Sequence, residues 1–346
     1  MRPVQFLLLP FLVYLALGQD CSDCVGSGKK WCVESSQCSS TSDSCATPIY
    51  ISLNCPASPD PRWPYDDHFM RTQAMVLATA VHNDNPQTCF DNQLPTMKIY
   101  QMRTVNCSSD YPDVTCVGYT AVDVTQNAIV IAFKGAHGQN QLDAIQTGFE
   151  KDGLVTYFNG NGKIFKVIYD NFMALWNGGM GQDLRQLKYK YPDFELWING
   201  HSLGAALGWT ASSFIATIGL YRPDQMKIAV MAGMRVGDAD FATWHSATFP
   251  FSYHVVHRLD TNPRYPPVDP HTNTTAVFKP RTEVWYNNYM NVGDPYTVCQ
   301  EDDGPYCSEA ITDGLIPEDH IYYFNIMISD WAHAGCPKNI SAYAQQ

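Results

Sequence analysis

The chain has 346 residues, 45% of them apolar and 16% charged, so it can bury a sizeable core and does not read as disordered. Its formal net charge is −12, with only 22 Lys and Arg, which excludes nucleic-acid binding through a basic patch and electrostatic docking on anionic lipid. A lipid partner would have to be met through apolar surface instead.

At the N-terminus, Arg2 precedes an apolar run from Phe6 to Leu17, interrupted by Pro10 and ending in Ala16-Leu17-Gly18. The pattern predicts a signal peptide over residues 1–18, cleaved after Gly18. The run is shorter than the roughly 20 residues needed to cross a bilayer, and no later stretch is apolar and long enough, so no transmembrane anchor is expected. All 12 cysteines lie beyond Gly18, and an even number in a secreted chain implies disulfides. Sequons at Asn106, Asn273 and Asn339 agree with a secreted, extracellular glycoprotein.

Residues 19–58 carry Cys21, Cys24, Cys32, Cys38, Cys45 and Cys55 among Ser, Thr, Gly and Asp. Few apolar side chains are available, so this module has to be held by bridges rather than by a core. Zinc at Cys21-x-x-Cys24 would need a second closely spaced Cys or His pair, and none follows. Ser58-Pro59-Asp60-Pro61 reads as a linker, leaving residues 59–346 as the second domain.

In that domain, Cys107 and Cys116 flank a short turn-rich stretch and should pair locally. Ala128 to Phe133 is a buried-strand pattern that stops at Gly135. Gly181 to Tyr189 is an amphipathic helix stopped by Pro192. Phe194, Leu196 and Ile198 mark a strand ending at Gly200, and an alanine-rich helix runs from Leu203 to Ile218. Lys227 to Ala232 and Tyr253 to Val256 are further strands, and Cys299 and Cys307 flank another turn-rich stretch and should pair. Strands alternating with helices imply an α/β fold with a mostly parallel central sheet covered on both faces.

The segment that carries chemistry is Gly200-His201-Ser202-Leu203-Gly204, a G-x-S-x-G with a strand immediately before it and a helix immediately after. A serine on such a turn stands at a helix N-terminus, where the N–H of Leu203 and the helix dipole face a developing oxyanion. A serine needs a base, and the base needs a carboxylate to orient it. On this fold the chain order is Ser, then Asp or Glu, then His. Asp260, just past the Tyr253 strand, and His320, in Pro317-Glu318-Asp319-His320, fit that order. Asp238, Asp240 and Asp294 are rival carboxylates, and His333 and His271 are rival bases.

These segments resemble the class 3 lipases, the fungal triacylglycerol-lipase family with secreted animal members, from about Phe69 to Phe324. Ile129 to Gly135 resembles the family's oxyanion strand, and Tyr191-Pro192-Asp193-Phe194 through Leu207 its elbow block. Gly233-Met234-Arg235-Val236-Gly237-Asp238 is similar to the block that follows. Asp260 to Pro267 and Asp319-His320-x-x-Tyr323-Phe324 resemble the blocks holding the catalytic Asp and His. The resemblance implies an α/β-hydrolase fold and a Ser202–Asp260–His320 triad acting without metal or organic cofactor. It further implies a monomeric enzyme whose partner is a lipid or other ester at an interface, acylglycerols first, with phospholipids or other esters as alternatives. A catalytically silent binding protein is the reading from a different class.

The resemblance also implies a second oxyanion donor at Ala136, which offers only its backbone N–H. It places a lid after the oxyanion turn, where Leu142, Ile145 and Phe149 keep a helix-like spacing; the other reading is a surface helix half-buried on the core. Finally, it favours a Cys89–Cys336 bridge between an early helix and the C-terminus, with Cys55–Cys336 as the rival.

Overall fold

The computed structural model describes residues 20–267, 276–301, 303, 307–311 and 313–345. The signal peptide expected over 1–18, the Asn273 sequon and His271 lie outside the described residues. The chain forms two compact units, Met1–Ser52 and Leu53–Gln346. Among the described residues, no helix is long and apolar enough to cross a membrane.

The first unit has little to bury. A short helix, Cys21–Gly26, starts where the Asp20 carboxylate accepts from the N–H of Asp23 at 2.8 Å. Strands Lys30–Cys32, Gln37–Ser39 and Pro48–Ile49 form an antiparallel sheet with the first strand in the centre. Cys24–Cys38 and Cys32–Cys45 bridge it. The buried Lys30 ammonium donates to the carbonyls of Thr41, at 3.3 Å, and Asp43. The boundary lies six residues before the end of the 19–58 module expected from cysteine spacing. Leu53, Asn54 and Cys55 are buried, the Arg281 guanidinium donates to the carbonyls of Leu53 (2.8 Å) and Cys55 (3.3 Å), and Ala57 N–H donates to Gln300 O at 2.7 Å. These bonds tie residues 53–57 to the second unit. Cys21 and Cys55 each take part in a disulfide.

The second unit is built on one sheet of eight strands. They are β1 (Lys98–Asn106), β2 (Thr115–Asp123), β3 (Ala128–Phe133), β4 (Glu195–His201), β5 (Met226–Met231), β6 (Ser252–His257), β7 (Glu283–Tyr286) and β8 (Thr297–Val298). They lie side by side in chain order. The middle five, β3 to β7, are parallel, and β1, β2 and β8 add antiparallel edges. β3 and β4 are buried on both faces, and β3 carries the continuous apolar run that a covered parallel sheet favours.

The α-helices of six residues or more in this unit are α1 (Met75–Ala80), α2 (Gln87–Gln93), α3 (Gln139–Lys151), α4 (Lys166–Leu175), α5 (Gly181–Lys190), α6 (Leu203–Thr217), α7 (Ala239–Thr248) and α8 (Ile328–His333). Ile129, Ile131, Phe133 and Ile198 pack with Phe172, Leu184, Leu207 and Trp209 of α4, α5 and α6. On the other face Val130, Ala132 and Trp197 pack with Val76, Leu77, Phe90 and Trp331 of α1, α2 and α8. Cys89 in α2 is bonded to Cys336 just past α8, and Cys107–Cys116 and Cys299–Cys307 close local loops. The Cys89–Cys336 loop spans 247 residues; the chain-entropy description assigns such a bridge on the order of 5 kcal/mol.

Parallel strands place the ends of β3, β4, β5 and β6 along one edge of the sheet. The loops leaving that edge carry Gly135-Ala136, Ser202, Arg235 and Asp260.

Candidate active site

Ser202 sits between the end of β4 and the start of α6 with φ 60° and ψ −126°. A non-glycine residue at positive φ is strained, and it persists only where its surroundings enforce it. The flanking glycines show how. A Cβ on Gly200 would lie 2.2 Å from the Gly204 carbonyl oxygen, and one on Gly204 would lie 2.2 Å from that of Phe133. The turn therefore closes only without side chains at either position. It delivers Ser202 to the first turn of α6, whose leading N–H groups, Leu203 among them, have no carbonyl within the helix to donate to.

Gly135 approaches from the neighbouring strand. A Cβ there would be 3.3 Å from Ser202 Cβ, so the turn after β3 lies beside the hydroxyl. Ala136, half-buried, is the next residue of that turn.

Ser202 Oγ is 3.0 Å from Nε2 of His320, and Nδ1 of His320 is 3.1 Å from both carboxylate oxygens of Asp260. The Asp260 side chain is 0% exposed and that of His320 22%. His320 ends the short turn Pro317–His320. Asp260 follows β6, and its Oδ1 accepts from the N–H of Asn262 at 2.8 Å.

Two further side chains hold this arrangement. The buried Tyr323 hydroxyl donates to Asp260 Oδ2 at 2.7 Å and accepts from the N–H of His257 at 3.3 Å. Burial, followed by the Asp260 charge, pushes the Tyr323 phenol well above its ordinary range, so it keeps the proton it donates. His201 Nε2 is 2.9 Å from the His320 carbonyl oxygen, and the two rings are 4.7 Å apart. Burial, and then the neighbouring His320, holds His201 well below the usual histidine value. A neutral His201 therefore carries its proton on Nε2 and donates it to that carbonyl. Sequence reasoning gave neither residue a role. Tyr323 stands three positions after His320 in a quoted block, but a phenol reads as core until its carboxylate partner is seen.

The rivals have other partners. Asp238 caps α7, accepting from the N–H of Phe241 at 2.9 Å and of Lys163 at 2.9 Å. Asp240 lies exposed in the first turn of α7, and Asp294 accepts from the N–H of Asn291 at 2.7 Å. His333 stands exposed in the last turn of α8.

α3 includes the three residues of the candidate lid. Ile145 is buried in the core, Phe149 lies 4.0 Å from the Phe165 ring and 5.7 Å from that of Tyr265, and Leu142 is 51% exposed. Gly148 lets α3 press against α4, since a Cβ there would be 2.5 Å from Val167. The sequon residues Asn106 and Asn339 are exposed. Among the described residues, the two side-chain groups close enough to share a metal each contain a bonded cysteine pair, Cys32–Cys45 or Cys299–Cys307, whose sulfurs are not free thiolates.

Residues 130–269 match the family Lipase (class 3). The chain is also 44% identical over 257 residues to an uncharacterized protein of Caenorhabditis elegans, C40H1.2, covering 74% of this chain and 92% of that one. The chain belongs to the class 3 lipase family. It is a family of carboxylic ester hydrolases. This class 3 lipase is 26% identical over 230 residues to the secreted mono- and diacylglycerol lipase A of Penicillium cyclopium, covering 63% of this chain and 70% of the relative. A fungal lipase solved as an inhibitor complex shares the fold, with a TM-score of 0.66 at 18% identity over 76% of this chain and 96% of that one.

Proposed function

We propose that this class 3 lipase is a secreted enzyme that hydrolyses acylglycerols through an acyl-enzyme on Ser202. The observation that carries the reading is the unbroken line from Ser202 Oγ through His320 to the buried Asp260, at 3.0 Å and 3.1 Å. Ser202 Oγ attacks the ester carbonyl carbon while His320 Nε2 takes its proton. Asp260 holds the Nδ1–H tautomer of His320 and stabilises the imidazolium that forms. His320 returns the proton to the leaving alkoxide, and water then repeats the sequence on the acyl-enzyme. The Leu203 and Ala136 N–H groups hold the oxyanion. Ala136 has no hydroxyl, so this hole rests on backbone donors.

Acylglycerol as substrate is supported by the Penicillium relative's name, and secretion by its being a secreted enzyme and by the disulfides of this chain. An ester at a lipid–water boundary suits a chain of net charge −12, which meets neutral surfaces more readily than anionic ones. As a candidate lid, α3 would have to release Phe149 from Phe165 and Tyr265 to move. The test is a hydrolysis screen of the secreted protein on emulsified triolein and diolein, phosphatidylcholine, and soluble p-nitrophenyl esters. Release of fatty acid from the glycerides is expected. Release from phosphatidylcholine alone would replace the substrate, and release from none would overturn the reading.

A further inference from the structure

Arg235 belongs to the block Gly233-Met234-Arg235-Val236-Gly237-Asp238, and no step of the hydrolysis uses it. Its side chain is nevertheless 1% exposed. A guanidinium is held in a core only when its charge and its donors are matched. The charge is matched by Asp303, 3.3 Å from Nε, and Glu309, 3.0 Å from Nη2. Lys279, Glu283 and Arg264 complete a buried cluster of three cations and three carboxylates.

The remaining donors all go to one loop. Nη1 of Arg235 donates to the carbonyl oxygens of Arg264 and Pro266, the latter at 2.9 Å. The backbone N–H of Arg235 donates to that of Tyr265 at 2.9 Å. Three successive carbonyls are thus fixed, four to six residues after Asp260. The near end of the loop rests on the same stretch of chain, because the Asn262 amide donates to the carbonyl of Ala232 at 2.5 Å. Asn262 N–H in turn donates to Asp260 Oδ1, and Arg264 Nη1 returns to the Asp260 carbonyl at 3.3 Å. Segment 232–235 is a seat for the loop, and Arg235 is the clamp at its far end.

We propose that Arg235 is a positioning residue for the hydrolysis, holding Asp260 in line with His320 Nδ1 by fixing the carbonyls of Arg264, Tyr265 and Pro266. The proposal rests on Asp260 being the carboxylate of the triad. A lysine cannot substitute: it keeps the charge, but a point ammonium cannot span two carbonyls and two carboxylates as a planar fork does.

The test is a double-mutant cycle on the full secreted chain with Arg235→Lys, Asp260→Asn and the pair. Each protein is labelled to completion with a fluorophosphonate to count reactive sites, and kcat and KM are measured on a soluble p-nitrophenyl ester. Arg235→Lys is expected to lower kcat per site about 10- to 100-fold, the loss attached to a shift on the order of 1 Å in a catalytic group, with KM little changed. In the Asp260→Asn background it should cost nothing further, since coupled residues are not additive. An unchanged kcat per site with fewer folded molecules would make Arg235 purely structural and overturn the proposal. So would an equal loss in both backgrounds. If Asp260→Asn alone leaves kcat intact, the triad assignment fails first and the proposal falls with it. Should Arg235→Lys not be secreted, Glu309→Gln provides the same readout: it weakens the anchor behind the guanidinium and the 3.9 Å pair to Arg264 while leaving the Arg235 bonds to the loop carbonyls in place, and a smaller loss of kcat, again absent in the Asp260→Asn background, is expected.

Discussion

The sharpest local consequence of the fold concerns two glycines one turn apart on α6. Gly204 faces backbone: an added Cβ would sit 2.2 Å from the Phe133 carbonyl oxygen, 2.9 Å from its carbon and 3.3 Å from the carbonyl carbon of Lys134. Gly208 faces side chains, at 3.2 Å from Val230 Cγ1 and 3.5 Å from Ile198 Cγ2. Relief at Gly204 therefore needs α6 and the end of β3 to part by about 1 Å, and these two elements carry the proposed oxyanion donors, Leu203 and Ala136. Losing the aim of one such donor costs about 100- to 1,000-fold in kcat. Relief at Gly208 needs a rotation of Val230, and alanine gains up to about 1 kcal/mol of helix propensity over glycine. Gly204→Ala should thus lose at least about two orders of magnitude in kcat, while Gly208→Ala keeps wild-type turnover and an equal or higher Tm. The assay is p-nitrophenyl ester hydrolysis normalised to fluorophosphonate-reactive sites, alongside thermal melts. Wild-type kcat in folded Gly204→Ala would refute the claim that this close approach sets the geometry of the hole.

Two more predictions follow from buried polar groups. Tyr323→Phe removes a hydroxyl bonded at 2.7 Å to the Asp260 carboxylate; it should cost about 2 kcal/mol of stability at neutral pH, read by urea unfolding. The same variant should lose far less kcat than Asp260→Asn, and equal losses would give Tyr323 a larger part than orienting the carboxylate. His82 and His245 are pushed from 6.5 down to about 3, chiefly by burial. Unfolded, they take up a proton near pH 6.5, so between pH 6.5 and 3 the unfolded chain binds more protons and stability falls as pH falls. The contribution is complete above pH 6.5 and is reduced by roughly 2 kcal/mol per histidine at pH 5. His201, His254 and His257 are shifted in the same direction. Thermal melts from pH 7.5 to 4.5 should show the decline, and a Tm that is flat from pH 7 to 5 would contradict it.

What was legible in the sequence was what is written locally. Ala128 to Phe133 is an unbroken apolar run because β3 is covered on both faces, and its bounds are those of the strand. The elbow is legible because its two glycines answer backbone contacts within the turn and the adjoining strand. Asp260 and His320 were reached through chain order and family resemblance, since nothing beside them in sequence reveals that they meet. The edge strands were missed for a physical reason: β1 is mostly exposed or half-buried along its length, with a register irregularity between Ile99 and Gln101, so neither a continuous run nor clean alternation marks it. Lys279, Glu283 and Asp303 read as surface by residue type, yet they are buried because they neutralise one another. The module boundary differed because the bonds that claim Leu53 and Cys55 come from Arg281, far along the chain.

The central claim is that Ser202 is an activated nucleophile, and one measurement addresses it most directly. The secreted protein is treated with a fluorophosphonate, digested, and mapped by mass spectrometry, with a heat-unfolded sample alongside. The account predicts a single stoichiometric adduct on the peptide containing Gly200-His201-Ser202-Leu203-Gly204, formed only in the folded protein. An unlabelled folded protein, or an adduct on any other serine, would contradict it.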